Sequence, residues 1–379
     1  MKVLHITPTY KPAYIYGGPI ASVSKLCEIE SKIGVEISVV TTNANGSNNL
    51  LNVETNTPII VDGIKVHYFK NQITGNIFIS IGLWKYVFKH CKKFDVVHIH
   101  SWWNLLVIIS CLICKIRGVK VIISPRGMLN HYIFNSGKQK MKKFIHFIIG
   151  RRLLSNCTFH ATSEQEYNDC KTLIKNWNGF RLPNIIEFPK LEIQKSINQQ
   201  FTITFLSRIH QVKGLEFLFE ALSLVDIPFI LKIAGRGDDD YVKQLKQFAI
   251  SLGIEHKIEW IGWCDQNKKY LELMNADMFV LTSYTENFAC AVIESLYMGT
   301  PVLITNSVGL SNFVKSNGLG WISELNSESI AKSIIEANKD KGKRHYINSN
   351  GRKIVEMFFQ DNVLGSKYLE EYHKVVAAN

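Results

Sequence analysis

The chain has 379 residues, 46% of them hydrophobic and 20% charged, with a formal net charge of +12. This excludes a disordered polypeptide and is too long for one comfortable core, so two domains of roughly 150 to 200 residues each are expected. The charge is uneven: up to Lys195 there are 25 Lys and Arg against 11 Asp and Glu, net +14, and beyond it 19 against 21, net −2.

The start, "MKVLHITPTYKP", reads as a buried strand with no sustained apolar run before its prolines, so a secretory signal is not expected. The following loop, "KPAYIYGGPIAS", leads into a helix. Its Gly17 and Gly18 either let the backbone approach a ligand closely or form a simple turn. Apolar strands recur at "GVEISVVTT", "FDVVHIHS", "VKVIISPRG" and "CTFHATS", separated by helical patterns. Such alternation argues for a parallel sheet covered on both faces. "HIHSWWN" ends a strand with His100, Trp102 and Trp103. Tryptophans there either stack on sugar faces, sit at a lipid interface or pack in the core.

The runs Leu105 to Cys114 and Ile77 to Trp84 fall short of the roughly 20 apolar residues that span a bilayer, so no transmembrane helix is expected. Eight cysteines without regular spacing read as small buried hydrophobes in a reducing compartment. The pair Cys111 and Cys114 lies in an apolar helical run without a second pair and reads as structural. A cytoplasmic location follows as the expectation. "KQKMKKFIHFIIGRRLL", Lys138 to Leu154, carries six basic and no acidic residues among Phe, Ile and Leu. It suits an anionic membrane surface, with Lys and Arg stems snorkelling, or an ordinary helix with a solvated basic face. No nucleic-acid module accompanies the charge, and nucleic acid is not expected as a partner. In "FHATSEQE", Ser163 reads as a helix N-cap with Glu166 at capping-box spacing.

"PNIIEFPKLEIQKSINQQ", Pro183 to Gln200, is polar and irregular, as a linker is, with Asn184 at the hinge entry. A second alternation follows: "FTITFLSR", "FILKIAGRG", "KIEWIGW", "DMFVLTS", "TPVLITN" and "GLGWIS". The expected division is 1–190, 200–358 and a helical tail, 359–379, packing back on the first domain. In "SYTENFACAVIESLYMGTPVLIT" a loop delivers the chain to a helix expected over 288–298, whose N-terminus at a strand's carboxyl end favours an anion. Glu286 lies just before that helix and Glu294 about two turns along it, so they reach different parts of one ligand as acceptors for sugar hydroxyls. Upstream, Arg208 and Lys213 stand five residues apart after a strand and can clamp a diphosphate. "GDDDY", Gly237 to Tyr241, has the Asp-x-Asp pattern of a Mg²⁺ or Mn²⁺ site. Its position reads instead as a turn and a helix start, where negative charge is favoured, and no metal is expected.

"SRIHQVKG", "IAGRGDDDYVKQLKQFA", "IEWIGW" and the Glu-x7-Glu segment, with Gly17-Gly18 near the start, resemble retaining nucleotide-sugar glycosyltransferases of the GT-B fold, in the GT4 family, of the bacterial surface-polysaccharide type. The resemblance covers nearly the whole chain and is strongest in its second half. It implies an α/β protein of two doubly wound Rossmann-like domains with a cleft between them. It also implies a catalytic group of Glu286, Arg208 and Lys213, the two cations on the donor diphosphate and Glu286 on the transferring sugar. Glu294 would hold the ribose, and Asn287, Phe288, Ala289, Gly235, Gly17 and Gly18 would complete the donor site. His100, Trp102, Trp103 and Arg126 would face the acceptor.

Two positions depart from the family. Relatives often have Gly at Ala289, and often His where Arg126 stands; Arg stays protonated and cannot serve as a general base. The implied reaction moves a hexose or N-acetylhexosamine from a nucleoside diphosphate sugar, UDP rather than GDP, to a saccharide or polyprenyl-diphosphate-linked acceptor. The expected context is capsule, O-antigen or exopolysaccharide assembly on the inner membrane face. No cofactor or metal is implied, because Arg208, Lys213 and a helix N-terminus balance the phosphate charge. A sugar-nucleotide epimerase and a non-catalytic sugar-nucleotide-binding protein are the alternatives.

Overall fold

The computed structural model describes residues 1–46, 49–73, 77–130, 139–189, 191, 195 and 198–378, and only the backbone of 139–141. Lys138 of the basic segment and much of the expected linker, including Lys190, lie outside the described residues. Contacts divide the chain into two units, Met1–Ile186 with Phe359–Asn379, and Glu187–Phe358.

The first unit is built on β1 (Lys2–Ile6), β2 (Glu36–Thr42), β3 (Pro58–Val61), β4 (Ile64–Phe69), β5 (Val96–His100), β6 (Val121–Ser124), β7 (Thr158–Ala161) and β8 (Gly179–Arg181). They form one sheet in the order β3-β4-β2-β1-β5-β6-β7-β8. Every pairing is parallel except β3 with β4. The edge strand β3 and its neighbour β4 are joined through Asp62 and Gly63, both at positive φ, the backbone that a two-residue hairpin demands. The helices are α1 (Gly18–Lys32), α2 (Ile81–His90), α3 (Leu105–Ile116), α4 (Gln139–Ile145) and α5 (Glu164–Leu173). After α4 the chain makes a π turn, His146–Gly150, and one more helical turn, Arg151–Leu154.

Strand alternation sorts the first unit's core. Leu4 and Ile6 of β1 and Val97 and Ile99 of β5 pack with Leu83 and Val87 of α2 and Leu106 and Val107 of α3. The intervening positions, His5, His98 and His100, point to the opposite face and are as deeply buried. Trp102 belongs to the apolar cluster and is 0% exposed, so it packs in the core and cannot stack on a ligand. Ser163 caps α5 as expected, accepting from the Glu166 N–H. The Glu166 carboxylate takes the N–H groups of Thr162 (2.7 Å) and Gly127 (2.5 Å), tying α5 to the loop after β6. All eight cysteines carry free thiols and six are buried.

The second unit holds β9 (Phe201–Leu206), β10 (Phe229–Ala234), β11 (Ile258–Gly262), β12 (Met278–Leu281), β13 (Val302–Thr305) and β14 (Gly320–Ser323) in one wholly parallel sheet. The order is β11-β10-β9-β12-β13-β14. Its helices are α6 (Leu215–Ser223), α7 (Asp239–Ser251), α8 (Gln266–Met274), α9 (Cys290–Tyr297), α10 (Ser311–Ser316), α11 (Ser327–Lys339) and α12 (Lys341–Phe359). The last helix, α13 (Asp361–Ala377), belongs to the first unit and buries Tyr368 and Tyr372. Both sheets reverse strand order beside their first strand, between β1 and β5 and between β9 and β12. Ligands of open α/β sheets bind outside the carboxyl ends of the strands at such switch points. No described helix is long and apolar enough to cross a membrane.

The buried histidines make the first unit sensitive to acid. Burial first, then the neighbouring cation Arg126 and other imidazoles, holds His100 well below its ordinary range. His98 is lowered likewise, and burial with Arg126 brings His160 down to about 3. These rings are neutral in the fold, whereas the unfolded chain protonates them near pH 6.5. Their contribution is therefore present above pH 6.5 and is lost as the pH falls below it. Urea denaturation followed by circular dichroism is expected to show stability falling between pH 6.5 and 5.5 by up to about 4 kcal/mol per pH unit for three protons. A midpoint unchanged over that range would contradict it.

Candidate active site

The switch point of the second unit is built from the loops after β9 and β12. After β9 the chain passes Arg208, which is exposed, and enters a single 3₁₀ turn, Gln211–Lys213, capped by the His210 ring. Gly214 ends the turn at φ 60°, and a Cβ there would stand 2.3 Å from the Thr282 carbonyl oxygen. Only glycine lets the two loops meet so closely. They are joined besides by the Tyr284 N–H to the Val212 carbonyl (2.9 Å) and the Thr282 hydroxyl to the Gly214 carbonyl (2.8 Å).

This clasp brings Lys213 and Glu286 together in a hydrogen-bonded ion pair. Glu286 is fixed from its other side, its carbonyl accepting from the Gly309 N–H at 2.8 Å. Glu294, on α9, has its own cation: Lys269 of α8 donates to it at 2.7 Å and lies over the Tyr270 ring. Both pairs are largely shielded from water, so each carboxylate is compensated in place. Sequence reasoning placed Glu286 and Glu294 and missed Lys269, which stands outside every motif.

The helix after Glu286 begins later than expected, at Cys290 rather than at 288, because Ala289 takes the left-handed conformation at φ 55°. A residue with a Cβ is mildly strained there, and glycine is not. Gly235 meets a close approach at the end of β10, where a Cβ would lie 1.9 Å from the Ser207 carbonyl oxygen. It keeps the β9 and β10 loops in contact. The aspartates of "GDDDY" begin α7, with Asp238 as its N-cap accepting from the Asp240 and Tyr241 N–H groups.

At the first unit's switch point, Gly17 (φ 74°) is the N-cap of α1 and Gly18 its first residue, with open space where a Cβ would stand on either. Arg126, after β6, is at φ 57°. Its guanidinium donates to Asn184 Oδ1, Ser22 Oγ (3.4 Å) and His100 Nδ1 (3.2 Å). His100 is 2% exposed, so this residue supports Arg126 from beneath and cannot itself face an acceptor. Trp103 is half-buried and donates to the Met128 carbonyl at 2.7 Å. The structure thus gathers Arg126, Gly17 and Gly18 near the first turn of α1 and leaves Trp102 in the core.

His5, His98 and His100 bring ring nitrogens within 4.8 Å of one another, the one such metal-ligand grouping among the described residues. Every one of these nitrogens is already hydrogen-bonded. His5 meets His100 and Glu30, and His98 meets Tyr372 and Ser124. With Arg126 on the third ring, the set fits a hydrogen-bond relay and not a cation.

Residues 188–354 match the family model described as glycosyl transferases group 1. The chain is 24% identical over 381 residues to an uncharacterized glycosyltransferase of Methanocaldococcus jannaschii, covering 96% of each. It is 21% identical over 284 residues to the UDP-Gal:alpha-D-GlcNAc-diphosphoundecaprenol alpha-1,3-galactosyltransferase of Escherichia coli, covering 69% of this chain and 70% of that one. The Anabaena protein HepE, solved in complex with UDP-glucose, superposes with a TM-score of 0.73 at 18% identity, covering 99% of this chain and 100% of that one. The two Rossmann-like units have the GT-B fold of the solved neighbours, and the match to the glycosyl transferases group 1 model falls within the second of them.

Proposed function

We propose that the protein transfers a hexose or N-acetylhexosamine from a UDP-sugar to a lipid-linked saccharide, with retention of configuration and without a metal. The observation that carries this reading is the Lys213–Glu286 pair at the switch point of the second unit. A buried cation and an acceptor carboxylate side by side are what a diphosphate joined to a sugar requires. Lys213, with Arg208 beside it, takes the charge that develops on the departing diphosphate. Glu286 accepts hydroxyls of the transferring sugar, and Glu294, oriented by Lys269, accepts those of the ribose. As the bond from the anomeric carbon to the phosphate oxygen breaks, the acceptor hydroxyl bonds to that carbon from the same face. Its proton passes to the departing phosphate oxygen, so Arg126 is not required as a base. UDP is favoured by the ligand of HepE, and a diphosphate-linked lipid acceptor by the name of the Escherichia coli relative.

We place the lipid side on the first unit, at the cytoplasmic membrane surface. In the basic segment Phe144 and Phe147 are 65% and 80% exposed, and Ile148 and Ile149 are exposed beside them. Lys143, Arg151 and Arg152 flank them in water. Apolar tips between cations match the boundary between anionic headgroups and acyl chains.

Calorimetric titration with UDP, GDP, ADP and their glucose and N-acetylglucosamine conjugates tests the donor. Selective binding that survives EDTA and weakens about 10- to 100-fold in Lys213→Ala is expected, from the loss of one charge-assisted contact. Binding to none of them would overturn the reading. With the donor in hand, Glu286→Gln should lower kcat/KM by about 10²-fold or more while the fold persists. The membrane assignment is read by sedimentation with vesicles containing phosphatidylglycerol or phosphatidylcholine alone. Binding to the anionic vesicles should fall about tenfold or more in the double substitution Phe147→Ser, Ile148→Ser, since each buried apolar side chain is worth about 1.5–3 kcal/mol. Equal binding to both vesicle types would contradict it.

A further inference from the structure

Beneath Arg126 lies a line of buried groups that the proposed reaction does not use. Arg126 Nη2 meets His100 Nδ1 at 3.2 Å, His100 Nε2 meets His5 Nδ1 at 2.9 Å, and His5 Nε2 meets Glu30 Oε2 at 2.8 Å. The Tyr372 hydroxyl of α13 donates to the other Glu30 oxygen at 2.5 Å and also meets His98. His98 continues through Ser124 to His160, on which Tyr368 lies. His5, His98, His100, His160 and Glu30 are all buried, and Cys27 of α1 also bears on His5.

The direction of each hydrogen bond follows from the guanidinium, which can only donate. His100 Nδ1 must then accept, so its hydrogen sits on Nε2 and points to His5 Nδ1. His5 in turn carries its hydrogen on Nε2 and gives it to Glu30. Three bonds are satisfied in one direction, with both imidazoles neutral. The alternative places a second proton on His5. Its Nδ1–H would then donate to His100 Nε2, and the hydrogen of His100 would move to Nδ1, facing the guanidinium donor to donor. Burial pulls His5 down and Cys27 and Glu30 push it up more strongly, while the guanidinium on His100 works against a second proton through the direction of the hydrogen bonds alone. One proton and one guanidinium contact therefore exclude each other.

We propose that Glu30, His5 and His100 form a one-proton latch that positions Arg126 as an anion-binding group. While Arg126 rests on His100 both imidazoles are neutral and Glu30 carries the one charge of the latch. When a substrate phosphate draws the guanidinium away, His100 changes tautomer and His5 takes up a proton from solvent. The imidazolium formed is neutralised by Glu30, and the Nδ1–H of His100 is left facing the space that the guanidinium vacates. Glu30 and His5 are positioning residues, acting on substrate only through Arg126. The phosphate clause rests on the proposed function; the exclusion between proton and guanidinium does not.

Two measurements separate these. The first uses the full chain labelled with ¹⁵N-histidine, its ring nitrogens read by long-range ¹H–¹⁵N correlation at pH 7.5, with His5→Gln and His100→Gln assigning the resonances. His100 is expected to be protonated on Nε2 alone and His5 to be neutral, and Arg126→Met should convert His5 to the imidazolium. Asn184→Ala, which frees one side of the guanidinium, should shift the same resonances part of the way if Arg126→Met does not fold. An imidazolium at His5 already in the wild type, or ring states unchanged in both variants, would overturn the latch.

The second titrates inorganic diphosphate into the double variant Arg208→Ala, Lys213→Ala, which removes both cations assigned to the donor diphosphate, in buffers of differing ionisation enthalpy. Uptake of up to one proton, abolished by Glu30→Gln, supports the coupling, and binding without uptake overturns it. No binding would remove the phosphate clause while the ring states still decide the latch.

Discussion

A carboxylate carried to the shielded end of a parallel strand has to be met by a cation or by N–H donors, and that requirement organises the second unit. Glu286 is met by Lys213 and Glu294 by Lys269. Lys213 reaches its partner because glycine at Gly214 lets the loops after β9 and β12 close to contact distance. The backbone clasp, the ion pair and the switch point are thus one construction. The partners of the Lys213–Glu286 pair also have second uses. A diphosphate can take over Lys213 and sugar hydroxyls can take over Glu286, so a donor that carries both replaces the pair without stranding either charge. A nucleotide lacking the sugar satisfies only one half of that exchange.

The first unit meets the same difficulty with other chemistry. Its switch point, between β1 and β5, holds a guanidinium supported by imidazoles instead of an ammonium supported by a carboxylate. The compensating charge, Glu30, stands two rings away. Distance between the charges makes the support responsive: a directly paired Arg126 would be held by attraction alone, whereas here its contact depends on which nitrogen carries a hydrogen. α13 takes part, since Tyr372 bonds Glu30 and Tyr368 lies on His160. The C-terminal tail thereby closes the buried side of the site.

Much of this was legible in the sequence where a local rule and a global need agreed. Val- and Ile-rich strands ending in Ser-Arg, Thr-Ser or Pro-Arg-Gly marked the sheet and the carboxyl ends where ligands bind. Gly214 and the Glu286 loop fell within a recognisable spacing. The β3–β4 hairpin was equally legible in its Asp62-Gly63 turn and was passed over, because β3, the edge strand, lies outside the parallel alternation. Trp102 was misplaced because a residue just after a strand can turn to either side. Ala289 delayed the start of α9 because the left-handed position is written as glycine in most chains and so leaves no mark when occupied by alanine. Lys269, Glu30 and His5 had no signal at all. Each meets its partner from an element distant in sequence, and only the alternation of His98 and His100 along β5 hinted at a shared buried face.

The division of charge then acquires a physical meaning. Beyond Lys195 the chain is nearly neutral, with a net charge of −2, so a dianionic donor finds no broad attraction there. On the proposed reading it depends on short-range contacts, and the one with Lys213, largely shielded beside Glu286, is little screened by salt. The first half, at +14, works through its long-range field, which solution ions cut off within about 8 Å at physiological strength. A small soluble donor is selected by fit, because diffusion delivers it from every side. A large acceptor confined to an anionic surface has to be approached by the protein, and a diffuse positive field with apolar tips suits that approach. On the proposed function, the two halves differ in charge as a soluble donor and a membrane-confined acceptor differ in freedom of movement.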